Sequence, residues 1–334
     1  MRKKISLDER ILIAGSNGMA GSAIYRALLK KGYGDINQKG ILLTPKREEI
    51  DFTDINQVIR WFKINKPSVV IIAAAKVGGI VANYSQPSEF LLENIKIQTN
   101  LIETSWKSGV KRLLFLGSSC IYPKFASQPI EEESLLTSSL EETNQWYAIA
   151  KITGLKLCEA LRKQYDFDAI SLMPTNLYGR GDNYHPQNSH VMAALIRKFS
   201  EASKNSLPSV TCWGTGSPFR EFLHVDDLGE AVVFTLENWD PDSNYAPRDK
   251  FNNPLYWLNV GTGNEISIKN LAYKISKYVN FEGKIIWDHT KPDGTPRKKL
   301  NINKIKEIGW EPKITLDEGI KMTLKSYHLD IEKL

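Results

Sequence analysis

The stretch at residues 10–32, RILIAGSNGMAGSAIYRALLKKG, decides the fold. It opens on an apolar run of strand length. Gly15, Gly18 and Gly21 follow at GxxGxxG spacing. Ile24, Leu28 and Leu29 then recur at helical spacing. A strand, a glycine-rich turn and an amphipathic helix in this order form the first unit of a dinucleotide-binding sheet. Glycines let the backbone turn tightly and approach a pyrophosphate, and the helix N-terminus supplies free N–H groups and a positive dipole end. Gly15, Ser16, Asn17, Gly18, Met19, Ala20 and Gly21 are therefore the candidate phosphate cradle.

Working outward, the alternation continues. GILLT (40–44), SVVIIAAA (68–75), RLLFLGSS (112–119) and DAISLMP (168–174) read as strands. Helical patterns lie between them, the longest at 87–108 and 147–165. Continuous apolar strands alternating with helices predict an α/β, doubly wound parallel sheet of Rossmann type, with ligands beyond the carboxyl ends of its strands. Past Pro174 the pattern loosens into loops such as GDNYHPQNSH (181–190) and CWGTGSPFREF (212–222). The expected organisation is a dinucleotide-binding domain over 1–175 and a smaller α/β substrate lobe over 176–334. Segments near 222–262, including HVDDLGEAVVFTLE and WLNVGTG, are expected to return to the sheet, so the two are partly interleaved.

Bulk properties exclude several classes. The chain has 334 residues, is 42% hydrophobic and 25% charged, and carries a net charge of +6. The basic runs, Arg2 to Lys4 and Arg297 to Lys299, are short and separated by acids, which favours small anionic ligands over nucleic acid. Cys120, Cys158 and Cys212 are far apart and no histidine stands at metal-ligand spacing, so neither a disulfide framework nor a metal site is expected. The first apolar run follows Asp8, Glu9 and Arg10 and is too short for a signal peptide, and no run approaches membrane-helix length. The expectation is a reduced, cytoplasmic protein with neither nucleic-acid nor membrane partners.

The second strand ends in Thr44-Pro45-Lys46-Arg47, with cations where an NAD-specific site places an acid. Arginine pairs bidentately with phosphate, so NADPH is the expected cofactor and Arg47 the expected clamp. Tyr147 and Lys151 stand four apart on a helix and share a face. A nearby ammonium favours phenolate, so Lys151 is expected to lower the Tyr147 pKa and make it a proton donor to a carbonyl. Ser118, at the end of another strand, can bond the same carbonyl.

Glycine loop, serine and YxxxK in this order resemble the extended short-chain dehydrogenase/reductases. AAAKVGGIVAN (73–83), FLGSSCIYPK (115–124), YAIAK (147–151), MPTNLYG (173–179), HPQNSHV (185–191), REFLHVDD (220–227), NVGTG (259–263) and KPDGTPRK (291–298) narrow the resemblance to the GDP-L-fucose synthases. It implies a bifunctional enzyme that epimerises GDP-4-keto-6-deoxy-D-mannose at C3 and C5 and reduces C4 with NADPH. It assigns catalysis to Ser118, Cys120, Tyr147, Lys151 and His190, with Cys120 and His190 as the epimerising base and acid. Beside Arg47, it adds Asp54, Pro174, Asn176, Leu177 and His190 to the cofactor set, together with Ser118, Tyr147 and Lys151. Lys198, Trp213, Arg220 and Asp293 are the implied substrate contacts, although Trp213 could equally be core. It also implies a homodimer through the helices near 87–108 and 145–165.

Two positions depart from the family pattern. Asn17 stands where relatives commonly have an arginine that assists the 2′-phosphate, and Trp146 replaces a proline before Tyr147. A free cysteine is usually a small buried hydrophobe, which is the reading for Cys158 and Cys212. His224 is expected to cap the helix begun by Asp226 and Asp227. The rival functions are a GDP-4-keto-sugar C4-reductase lacking the epimerase step, acting on a 6-deoxy-heptose or dideoxy-hexose, and a non-catalytic dinucleotide sensor. The sensor predicts loss of Ser118, Tyr147 or Lys151, and all three are present.

Overall fold

The apolar runs become strands in a computed structural model that describes residues 3–331 apart from Gln187 and Pro292. Arg2 of the first basic run lies outside the described residues, as do Gln187 and Pro292 within two of the motifs. The first half comprises β1 (Arg10–Ala14), α1 (Met19–Lys30), β2 (Ile41–Leu43), α2 (Ile55–Asn65), β3 (Val69–Ile72), α3 (Ile80–Ser85), α4 (Pro87–Lys107), β4 (Arg112–Leu116), α5 (Gln145–Tyr165) and β5 (Ala169–Pro174). Then follow β6 (Asn176–Tyr178), α6 (Val191–Lys204), β7 (Ser209–Trp213), β8 (Phe219–His224), α7 (Val225–Asn238), β9 (Trp257–Val260), β10 (Glu265–Ser267), α8 (Ile268–Tyr278), β11 (Lys284–Asp288), β12 (Arg297–Lys298), α9 (Asn303–Glu307) and α10 (Leu316–Ile331).

The main sheet has six strands in the order β2-β1-β3-β4-β5-β9, all parallel. β3, β4 and β5 are buried along their whole length, which is why they read as unbroken apolar runs. The chain leaves β1 in one direction to form β2 and returns to its other side to form β3. Such a reversal opens a crevice at the carboxyl ends of the strands, where the glycine loop lies. The last strand, β9, comes from the second half of the chain and pairs with β5 from Ser171↔Trp257 to Pro174↔Val260.

A second apolar core gathers Leu195 and Phe199 of α6, Leu271 and Ile275 of α8, and Ile320 and Tyr327 of α10. Beside it, β8 pairs with β6, β10 and β12. The fully buried Glu221 of β8 accepts backbone N–H bonds from Thr262, Gly263 and Leu300 at 2.6, 2.7 and 2.8 Å. One carboxylate thus ties β8 to the turn after β9 and to the segment after β12. Three N–H donors are the compensation that burying a carboxylate requires.

Candidate active site

The glycine loop is shaped by close approach. Gly15 has φ +87°, and a Cβ there would stand 2.7 Å from Ala74 backbone atoms. A Cβ on Gly21 would stand 2.0 Å from the Gly15 carbonyl oxygen. A Cβ on Gly18, by contrast, meets only the Gly15 oxygen at 3.5 Å, so that side of the loop is open. α1 begins there with no side-chain cap and no acid in its first turn. The buried Ser16 Oγ has no hydrogen-bond partner within the protein. Free helix N–H groups, an orphaned hydroxyl and an open face fit a dinucleotide pyrophosphate.

Around this loop the other expected cofactor residues fall unevenly. Arg47 is exposed just beyond the end of β2, and β2 runs beside β1. Asn176 donates its Nδ2 to the Glu221 carbonyl at 2.7 Å, and Leu177 follows it in β6. Pro174 closes β5. Asp54 caps α2, accepting from Asn56 N at 2.8 Å and Gln57 N at 3.3 Å.

Ser118 leaves β4 in extended conformation, and its Oγ accepts the Cys120 N–H at 3.2 Å. That turn folds Cys120 back beside Ser118, so adjacency in sequence becomes adjacency in the site. Tyr147, in the first turn of α5, hydrogen-bonds the Ser118 side chain. Burial pushes the phenol well above its usual range, the Cys120 charge adds to this, and the Ser118 bond opposes it. The expectation that Lys151 lowers the Tyr147 pKa is therefore corrected. The ammonium of Lys151 donates to the Leu116 carbonyl at 2.8 Å and lies 5.8 Å from the Tyr147 ring centroid. Burial draws Lys151 itself down to about 7. Desolvation is the leading cause at both groups, and the phenol is held protonated.

The Cys120 sulfur has two polar neighbours that sequence reading missed. Asn144 Nδ2 and Lys298 Nζ each stand 3.5 Å from Sγ. Lys298 reaches it because β12 pairs with β8, which sets Lys298 opposite Arg220. His190, exposed at the start of α6, is held below its usual range by surrounding protein and then by Lys298. Lys298 therefore touches Cys120 and its charge also bears on His190, although the two come from different elements.

The expected substrate residues form an outer cluster. Trp213 is 46% exposed, which removes the core reading. Lys198 Nζ and Lys291 Nζ lie 5.5 and 5.7 Å from its ring centroid. Lys198 also donates to the Thr211 carbonyl at 2.8 Å. Arg220 Nη2 reaches the Asp293 carbonyl at 3.4 Å. The Asp293 carboxylate accepts from Thr215 N and Oγ1, both at 2.8 Å, and so anchors the loop after β7. An exposed indole flanked by two cations suits a ring joined to phosphates. Lys291 was missed because nothing in a lone lysine beside a proline signals that the strand before it pairs with the one that ends in Trp213.

The remaining candidates are structural. His224 caps α7 by accepting the Asp226 N–H at 3.3 Å, as expected. Cys158 and Cys212 are buried, and burial pushes their thiols up to about 12 and about 11. Among the described residues no cluster of His, Cys, Asp and Glu could hold a metal ion.

The model of the NAD-dependent epimerase/dehydratase family matches residues 11–247, from β1 to beyond α7. The chain belongs to that family. Within it, the chain is 50% identical over 318 residues to GDP-L-fucose synthase 1 of Arabidopsis thaliana, covering 95% of this chain and 93% of that one. It is 45% identical over 315 residues to the GDP-L-fucose synthase of Escherichia coli, covering 94% and 95%. Among solved structures, a GDP-mannoheptose C4 reductase from Campylobacter jejuni with NADP bound aligns with a TM-score of 0.85 at 34% identity, covering 97% and 99%. The family's Rossmann-type sheet is the one the apolar runs predicted, and the heptose enzyme, the rival reading, is the more distant of the three.

Proposed function

We propose that this chain is a bifunctional 3,5-epimerase and NADPH-dependent 4-reductase that converts GDP-4-keto-6-deoxy-D-mannose to GDP-L-fucose. The observation that carries it is the meeting of Ser118, Tyr147 and Cys120 at one point, supported by relatives named for this activity at 45% and 50% identity. When bound, NADPH supplies the hydride for C4. The glycine loop and the α1 N-terminus would hold its pyrophosphate, Arg47 its 2′-phosphate, and Asn176 and Leu177 would lie beside the nicotinamide. Asn17 leaves Arg47 as the principal phosphate clamp.

One ketone serves both reactions. The Ser118 and Tyr147 hydroxyls donate to the C4 oxygen, which acidifies C3 and C5. The Cys120 thiolate takes a proton from carbon, and the C–H electron pair moves through the enolate to that oxygen. His190 delivers a proton from the opposite face, which inverts the centre. In the reduction, Tyr147 gives its proton to the C4 oxygen. Lys198, Arg220 and Trp213 hold the nucleotide diphosphate, and Asp293 shapes their loop. The enzyme is a cytoplasmic homodimer that associates through α4 and α5, where Leu92, Trp146 and Ile149 are exposed apolar side chains; among the described residues no helix is long and apolar enough to cross a membrane.

The test is turnover of GDP-4-keto-6-deoxy-D-mannose with NADPH in deuterated water, read by NMR. Deuterium at both C3 and C5 of a GDP-L-fucose product is expected. Reduction without deuterium would make the chain a simple C4-reductase, and no turnover would direct the search to another GDP-keto-sugar.

A further inference from the structure

A cysteine that acts as a base, here Cys120, needs its sulfur ionised and held in place. Two N–H donors converge on that sulfur from different parts of the chain. Lys298 Nζ approaches to 3.5 Å from β12, and Asn144 Nδ2 approaches to 3.5 Å from the residue preceding α5. Neither position is free to drift. Lys298 is fixed opposite Arg220 by the β12–β8 pairing, and the bond from Leu300 N to buried Glu221 pins the segment that follows. Asn144 accepts the Ala148 N–H on its backbone carbonyl at 3.0 Å, within the first turn of the helix that carries Tyr147. Among the described residues no carboxylate forms an ion pair with Lys298, so the sulfur is the polar partner its ammonium has. The other ionisable groups near the sulfur are Arg220, Tyr147, and Glu141 and Lys124 at the rim of the same cleft.

We propose that Lys298 and Asn144 are positioning residues that hold the Cys120 sulfur as a thiolate aimed at the sugar ring. Lys298 contributes charge and Asn144 contributes direction. A cation beside a thiol favours loss of its proton to water, and a donated N–H stabilises the anion that remains. Lys298 lies on β12, paired with the β8 strand that carries Arg220, and Asn144 leads directly into α5, which carries Tyr147, so sulfur, phenol and substrate cation keep one mutual geometry. The inference rests on the epimerase reading for its catalytic meaning, but the ionisation it asserts is measurable without substrate.

The experiment measures alkylation of Cys120 by iodoacetamide in the NADPH-bound enzyme from about pH 6 to pH 10, a range that spans thiol ionisation. Modification is followed by peptide mass; buried Cys158 and Cys212 serve as internal controls. Lys298→Met and Lys298→Gln are expected to raise the midpoint by about one pH unit, slowing alkylation near neutrality ~10-fold. Lys298→Arg should restore most of it, and Asn144→Ala should slow alkylation by about threefold. Deuterium exchange at C3 and C5 should fall in the same order, with NADPH affinity unchanged as the check on folding. An unmoved midpoint in both charge-removing variants would overturn the proposal. Failure of the wild type to exchange deuterium would instead sink the epimerase reading, with the alkylation midpoints still deciding the ionisation.

Discussion

At the residue scale, Tyr147 and Lys151 share a face of α5, yet they do not form the charge pair that their spacing suggests. Lys151 turns its ammonium to the Leu116 carbonyl, and burial acts on each group separately. The phenol is kept protonated, which is the form a proton donor needs. Tyr147→Phe removes the donor while keeping the ring. We expect NADPH oxidation to fall by about 10²–10⁴-fold, the range for loss of a general acid, with dinucleotide affinity retained. Stopped-flow absorbance and a binding titration separate the two, and turnover near the wild-type rate would remove Tyr147 as the donor. YxxxK made both residues legible as a pair. Which carbonyl Lys151 would choose was not, because Leu116 belongs to another element.

At the element scale, the strand–loop–helix unit of β1 and α1 is a packing solution as much as a binding motif. A methyl group on Gly21 would overlap the Gly15 carbonyl oxygen, so Gly21→Ala must push α1 away from the strand end. Overpacking of this kind costs about 1–3 kcal/mol. The expected result is a lower urea midpoint together with weakened NADPH binding, because the α1 N–H groups move with the helix. Loss of binding with an unchanged midpoint would mean that the glycine serves only the ligand. This unit was readable from its own residues. The two-residue strand β12 was not: Arg297 and Lys298 have no periodicity, and only pairing with β8 makes them a strand.

On the scale of the whole molecule, buried carboxylates tie distant segments together and set a pH dependence. Glu132 is 1% exposed, accepts the Asn259 N–H at 2.9 Å, and is raised by burial to about 7. The folded protein therefore binds this proton more tightly than the unfolded chain, whose glutamate titrates near ~4.3. The stabilisation is present below about pH 4 and is lost as pH rises through the folded value near 7. The displacement corresponds to roughly 4 kcal/mol at most. Glu132→Gln keeps an acceptor without the charge, so its Tm should exceed the wild-type Tm at pH 8 and approach it near pH 5. Parallel Tm profiles for the two proteins would show that Glu132 does not titrate across this interval.

The sequence by itself determined the sheet, because strands buried on both faces must be continuously apolar and the helices between them amphipathic. It determined the phosphate loop for a similar reason: tight turn, close approach and free helix N-terminus are local demands that only glycines at fixed spacing meet. Cys120 beside Ser118 was also local, folded by one hydrogen bond within a single turn. The tertiary structure alone decided the surroundings of that sulfur. Asn144 and Lys298 reach it through α5 and through a strand paired far along the chain, and Lys291 joins Lys198 on Trp213 in the same way. It also decided the ionisation of Tyr147 and Lys151, since desolvation depends on what packs around a group and no spacing of residues records that.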